Sequence, residues 1–231
     1  MNDTSTKDII CDQAIDSYKD IDILYHDDHL LLVNKPADLL TVPGKGPDKA
    51  DCMISRLQEK WSRANVVHRL DMATSGILVV ALTPTAHREL SKQFQNRETS
   101  KEYIAVIYGE LEPGSGTVDL PLITDWPNRP RQKVCHESGK PSQTLWQIIP
   151  TPDTRTPIAQ STRVKLTPIT GRSHQLRVHM LSLGHPIIGD NLYGCDTSIA
   201  MAPRLLLHAR KLTIKHPVTE VLITAIAEAE F

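Results

Sequence analysis

The chain has 231 residues, 40% hydrophobic and 23% charged, with a formal net charge of −1 at pH 7, the proportions of a soluble globular protein with one large core or two modest ones. Its longest apolar run, "GILVVAL", falls far short of the ~20 residues a membrane helix needs, and the polar start "MNDTSTKDII" is no secretory leader. Cys11, Cys52, Cys135 and Cys195 are too scattered for a C-x-x-C zinc site and suit free thiols in a reducing cytoplasm.

Residues 1–30 carry eight Asp and two Lys, while the rest of the chain holds 24 basic and 19 acidic residues. An acidic head on a mildly basic body is compatible with RNA binding, and equally with a solvated tail on a neutral enzyme. Residues 1–20 show no firm periodicity and are expected to form an acidic mobile tail. "ILYHDDHLLLVNKP" then reads as two strands around the Asp27-Asp28 turn, stopped at Lys35-Pro36. "ADLLTVPGKGPDKA" is loop. "DCMISRLQEKW" has helical spacing, with Met53, Leu57 and Trp61 on one face.

"NVVHRLDMATSGILVVAL" predicts strand, loop, strand. Thr83 is an N-cap ahead of Pro84, and Ala86, Leu90 and Phe94 continue a helix. "KEYIAVIYGEL", "TLWQIIP", "TRVKLTPI", "LLLHARKLTI" and "EVLITAI" read as strands. "SHQLRVHMLSLG" reads as a helix with Leu176, Met180 and Leu183 inward, ended by Gly184. Several strands follow one another without an intervening helix, which predicts an α+β fold: a mixed, mainly antiparallel sheet with flanking helices and loops.

Three segments place charge where a core-facing pattern would not want it. "HRLDMATSG" sets His68, Arg69 and Asp71 between apolar strands. "SKEYIAV" opens a strand with Lys101, Glu102 and Tyr103, and "TGRSHQLRVHM" gathers Arg172, His174, Arg177 and His179 at a helix start. Each has a plain structural reading: Asp71 as a loop cap, Tyr103 as a core aromatic with its hydroxyl at the rim, Arg172 as a surface base. His174 and His179 are five apart, not the i, i+4 of a helical metal pair, so no metal is expected. "TSG" lacks the G-x-S-x-G elbow of a serine hydrolase, and "GKGPDKA" lacks the GK[ST] of a phosphate loop.

Taken together, these segments resemble the RluA-type pseudouridine synthases. "HRLDMATSGILVVAL" matches the family's HRLD…TSG signature, and "DDHLLLVNKPADLLTVPG" resembles its N-terminal motif. "KEYIAVIYG" and "ITGRSHQLRVHMLSLGHPIIGDNLYG" resemble the motifs with the active-site tyrosine and arginine, and "RLLLHARKLTIKHP" the C-terminal motif. The matches run in order over residues 22–216. Ala37-Asp38 departs from the usual Ser/Ala-Gly of the N-terminal turn, and "ITAIAEAEF" from the usual C-terminal pattern.

The resemblance implies a single catalytic domain over 21–231, without the S4-like RNA-binding domain of many relatives. It implies isomerisation of uridine to pseudouridine, a redox-neutral reaction that needs no cofactor. "DLPLITDWPNRPRQKVCHESGKPSQT" resembles the branch of the family that modifies both 23S rRNA and the anticodon stem-loop of tRNAs. Asp71 would be the nucleophile facing positive charge at the sugar, as in glycoside cleavage. Arg172 would keep that carboxylate ionised, Tyr103 would stack on the base, and Arg69 would fill the gap left by a flipped nucleotide. His68, His174, Arg177, Arg129, Arg131 and Lys133 are further expected RNA contacts, with Lys140 beside them, and the enzyme is expected to act as a monomer. Two rival readings are an RNA-binding module without chemistry, and a carboxylate-dependent nucleoside hydrolase that would release free uracil.

Overall fold

A computed structural model describes residues 8–112, 114–152 and 158–231. In chain order the strands and helices begin with β1 (Ile9–Cys11), β2 (Asp16–Tyr18), β3 (Ile21–His26), β4 (Leu30–Lys35), α1 (Met53–Lys60), β5 (Asn65–Val66), β6 (Ser75–Ala81) and α2 (Pro84–Asn96). There follow β7 (Ser100–Tyr108), β8 (Ser115–Asp119), β9 (Leu122–Thr124), β10 (Gln132–Val134), β11 (Gln143–Ile148) and β12 (Ser161–Pro168). The chain closes with α3 (Gln175–Ser182), α4 (Asp196–Ala200), β13 (Leu207–Lys215) and β14 (Leu222–Ile226). The stretch read as one catalytic domain comprises two compact units. One runs to Lys101 and takes up Ala209–Glu228; the other holds Glu102–His208 and Ala229–Phe231.

In the first unit β2, β3, β4 and β6 pair antiparallel in that order. The β3–β4 turn forms because Asp27 accepts the backbone N–H groups of His29 and Leu30 at 2.7 and 2.9 Å, the Asx chemistry expected of that residue. Every residue of β6 is buried, as a strand covered on both faces requires. On one face Leu30, Leu32, Ile77 and Val79 meet Ala86 and Leu90 of α2 and Leu212, Ile214, Ile223 and Ala225 of β13 and β14. Thr83 caps α2 by accepting from the Ala86 N–H at 3.2 Å.

The second unit is built on the antiparallel order β7–β12–β11–β8. The β9–β10 hairpin follows β8, and α3 buries Leu176, Val178 and Met180. The α+β class and the dominance of antiparallel pairs are as expected; β1 with β14 is a parallel pair.

Two expectations are corrected. Within the stretch expected as a mobile tail, β1 lies in register with β14, placing Cys11 opposite Ala225, and β2 pairs with β3. Only three-residue stretches are paired, too short to leave a periodic signal; residues 1–7 lie outside the described residues. Leu183 is not inward: α3 stops at Ser182 and Leu183, its C-cap, is 36% exposed.

Candidate active site

In the first unit the loop between β5 and β6 carries "HRLDMATSG". Four anchors fix its backbone. The Thr41 hydroxyl donates to the Leu70 carbonyl at 2.8 Å and accepts the Leu70 N–H at 3.3 Å. The Lys35 ammonium, wholly buried, donates to the carbonyls of Pro36, Leu39 and Met72 at 2.7, 2.8 and 3.0 Å. The Thr74 N–H closes a turn onto the Asp71 carbonyl at 3.1 Å. The Val79 N–H donates to His68 Nε2 at 3.2 Å.

Side chains alternate along this loop. His68 turns inward and stacks on Phe94, with ring centroids 4.3 Å apart and planes at 21°. Leu70 is buried, Arg69 is exposed and Asp71 is half-buried. Gly76 ends the loop at φ +115°, where a Cβ would lie 2.4 Å from the Ala209 carbonyl oxygen. Only glycine fits there, which explains the G of the TSG triplet.

His68, expected as an RNA contact, anchors the loop through its own contacts. A backbone N–H can only donate, so Nε2 is unprotonated and the ring proton sits on Nδ1. Burial pushes the His68 pKa down to about 3, helped by the charge of Lys101. Burial, and then Arg97, lowers the pKa of Lys101 itself.

In the second unit Tyr103, the fourth residue of β7, lies opposite Leu166 of β12 and is half-buried. Arg172 follows β12 in the turn that starts α3. Its N–H donates to Gln175 Oε1 at 3.0 Å and its Nε to the Pro141 carbonyl at 3.3 Å. Gln175 is buried. Its Oε1 also accepts from Thr170 Oγ1 at 2.7 Å, and its Nε2 donates to the Gln143 carbonyl at 2.9 Å and to Thr144 Oγ1 at 3.0 Å. Tyr103 and Arg172 therefore share one end of the β7–β12–β11–β8 sheet, where β7 begins and β12 ends.

His174 sits in a left-handed conformation at φ 53°. Its Nδ1 shares a 2.7 Å hydrogen bond with the Tyr193 hydroxyl, which also accepts the Gln132 N–H at 2.7 Å. Tyr193 thus ties the β9–β10 hairpin to the Arg172 turn.

Arg177, expected as an RNA contact, is engaged inside the unit. It is 5% exposed and grips Asp190 through Nε to Oδ2 at 2.7 Å and Nη2 to Oδ1 at 2.6 Å. Asp190 is itself fully buried and takes the N–H groups of Leu192 and Tyr193. His179 is likewise structural, held between Thr144 Oγ1 at 2.8 Å and the Leu120 carbonyl at 3.1 Å.

Of the basic hairpin residues, Arg129 lies over the Trp126 ring, 4.6 Å from its centroid, and Lys133 pairs with Asp125 at 3.3 Å. Arg131 and Lys140 are exposed. Among the described residues, no three His, Cys, Asp or Glu side chains converge as a metal site, and no helix is long and apolar enough to cross a membrane.

Sequence reasoning passed over Lys35, Thr41, Gln175 and Tyr193. A lysine closing the apolar run "LLLVNK" was the available sign for the first; Thr41 had none, because its partner is the backbone of Leu70, distant in sequence.

Residues 29–182 match the family described as RNA pseudouridylate synthase, and the chain belongs to that family. It is similar to the dual-specificity RNA pseudouridine synthase RluA of Escherichia coli K12, 55% identical over 209 residues, 90% of this chain and 93% of that one. The protein of the same name from Yersinia pestis is 54% identical over 90% of this chain and 99% of its own. Among solved structures, human RNA pseudouridylate synthase domain containing 1 superposes with a TM-score of 0.76 at 27% identity, covering 94% of this chain and 86% of that one. Human RNA pseudouridylate synthase domain containing 4 gives 0.69 at 25% identity, over 90% and 88%.

Proposed function

We propose that this enzyme isomerises uridines in two kinds of RNA, a 23S rRNA hairpin and the anticodon stem-loop of tRNAs, with Asp71 as its nucleophile. The observation that carries the role of Asp71 is the fixing of its loop. Thr41, Lys35 and His68 hold residues 68–72 by side-chain contacts to Leu70, Met72 and Val79, leaving the Asp71 carboxylate as the acidic group on a rigid support. Reactive groups built on such supports keep their geometry.

In the reaction the N1–C1′ bond breaks, the uracil rotates, and C5 bonds to C1′. The C5 proton leaves and N1 regains one, so atoms and electrons balance within the nucleotide. Positive charge develops at the sugar as the base departs, and a carboxylate stabilises it. Uracil leaves as a delocalised anion, so one carboxylate is enough where glycosidases use two. Tyr103 stacks on the target base and Arg172 is the cation that keeps the carboxylate charged. Arg69, exposed beside Asp71 on the loop, fills the stack when the uridine is extruded.

The dual specificity of relatives more than half identical over nine-tenths of the chain supports the choice of substrates. The same reading has the enzyme acting as a monomer in the cytoplasm. Pseudouridine mapping of total RNA from cells with and without the protein tests it. Signals lost in both a 23S rRNA hairpin and tRNA anticodon arms are expected. Loss in one class alone would remove the dual specificity, and loss in neither would remove the substrate assignment.

A further inference from the structure

We propose that Trp126, together with Arg129, is a stacking platform for an unpaired base of the substrate RNA, outside the nucleotide being isomerised. The proposal rests on the synthase reading for the identity of its ligand and adds to it a residue that determines specificity.

Aromatic residues are scarce, with three Trp, five Tyr and two Phe. Among the described residues all of them are buried or half-buried except Trp126, which is 64% exposed. Exposing an indole forgoes one of the largest burial gains a side chain offers. It sits, moreover, on a firmly built turn. Asp125 N–H bonds to the Arg131 carbonyl at 2.9 Å, Asn128 N–H to the Asp125 carbonyl at 2.9 Å, and Arg131 N–H to the Asn128 carbonyl at 3.0 Å. Asn128 Nδ2 donates to Asp125 Oδ2 at 2.8 Å, and the Gln132 N–H anchors the turn to Tyr193. A turn held by this many bonds presents its tryptophan in one place.

The surroundings choose the ligand. Arg129 covers one face of the indole; with that face taken, an exposure of 64% leaves the other open. Pro127 and Pro130 are exposed in the same turn, but Asn128, Arg129, Arg131 and Lys133 are exposed and polar as well, so the surface around the indole is set by cations. The one acid of the turn, Asp125, is already engaged by Asn128 and Lys133. A flat aromatic set among cations is what unpaired nucleotides bind, with the base on the ring and phosphates on the charges.

The position agrees. Asp119 ends β8 opposite Gln143, Thr144 of β11 faces Pro168 at the end of β12, and Leu166 of β12 faces Tyr103. The hairpin that carries Trp126 therefore leaves the sheet at the end where Tyr103 and Arg172 stand. Three strand spacings, about 14 Å, separate β8 from β7, so one bound stem-loop reaches both.

The test uses an anticodon-type RNA stem-loop and a series in which each loop base in turn, other than the target uridine, is replaced by an abasic site. Single-turnover rates and dissociation constants are measured for wild type, Trp126→Ala, Trp126→Phe and Trp126→Leu. Trp126→Ala should weaken binding about 5- to 150-fold, the range for loss of one base–aromatic stack. Phe should restore most of the affinity and Leu little. At one loop position the abasic RNA should weaken wild type by a similar factor while leaving Trp126→Ala unaffected. Binding by Trp126→Ala equal to wild type overturns the proposal. So does a loss that no abasic position relieves, which would make Trp126 a structural residue or a contact for another molecule. If wild type binds the stem-loop but forms no pseudouridine in any RNA tested, the synthase reading fails instead, and the coupling between Trp126 and the loop base is still read from binding.

Discussion

The Thr41 hydroxyl holds both backbone groups of Leu70, donating to its carbonyl and accepting from its N–H. Leu70 directly precedes Asp71, so this one side chain sets the peptide from which the carboxylate of the proposed nucleophile hangs. Thr41→Val keeps the shape and removes both bonds. It should destabilise by about 1–3 kcal/mol for each buried group left unpaired and lower kcat far more than it raises KM. Thr41→Ser should recover most of the rate. Stopped-flow or quenched single-turnover assays beside denaturant melts check this; equal rates for Val and Ser would leave Thr41 out of the positioning of Asp71.

Asp71→Asn should abolish pseudouridine formation and leave RNA affinity within a few-fold of wild type, since phosphate contacts and stacking supply most of the binding. A filter-binding curve and a turnover assay on the same preparation decide it. Multiple turnover by this variant would end the nucleophile assignment.

His68 makes stability depend on pH in a defined window. Its folded pKa, about 3, lies below the ordinary histidine value of about 6.5. The unfolded chain therefore binds the extra proton first. The His68 contribution is complete above pH ~6.5 and is lost as pH falls toward 3, with a slope of at most about 1.4 kcal/mol per pH unit. His68→Gln can still accept the Val79 N–H and carries no charge, so its stability should fall less steeply between pH 6.5 and 5. Parallel urea titrations at these two pH values make the comparison, and identical slopes would contradict it.

Arg177 and Asp190 form a buried pair, and removing one partner strands the other. Arg177→Met should cost about 3–5 kcal/mol of stability, whereas the fraction that remains folded should bind RNA as wild type does. A weakened affinity at unchanged melting temperature would restore Arg177 as an RNA contact.

Arg69→Ala should suffer most on a folded stem-loop, where unstacking the target costs a few kcal/mol, and less on an RNA whose uridine is already extruded. Arg69→Lys should rescue poorly because an ammonium cannot stack as a plane. Full rescue by lysine on both RNAs would reduce Arg69 to a phosphate contact.

The sequence made β3, β4, β6 and α2 legible because each carries a run long enough for its period to show. It could not reveal β1, β2, β9 or β10, three-residue strands that exist only through their partners. Charged residues in unexpected places marked the candidate site, yet type and spacing did not say which way each side chain turns. His68 and Arg177 carried the same signal as Arg69 and face inward instead. That sorting depends on a bare backbone N–H at Val79 and an acid at Asp190, neither of which stands next to its partner in the chain.

The wholly buried ammonium of Lys35 has a consequence for the order of events when RNA arrives. It draws together carbonyls from residues 36, 39 and 72, so the loop bearing Asp71 cannot open without taking the Met72 carbonyl away from a buried charge. Local opening there should demand nearly as much as unfolding the whole unit, and the Leu70 and Val79 amides should be among the slowest to exchange with solvent deuterium. On encounter, then, this loop of the enzyme stays still, and the rearrangement falls to the nucleic acid: the stem-loop has to deform to the shape of a seat that was finished when the chain folded.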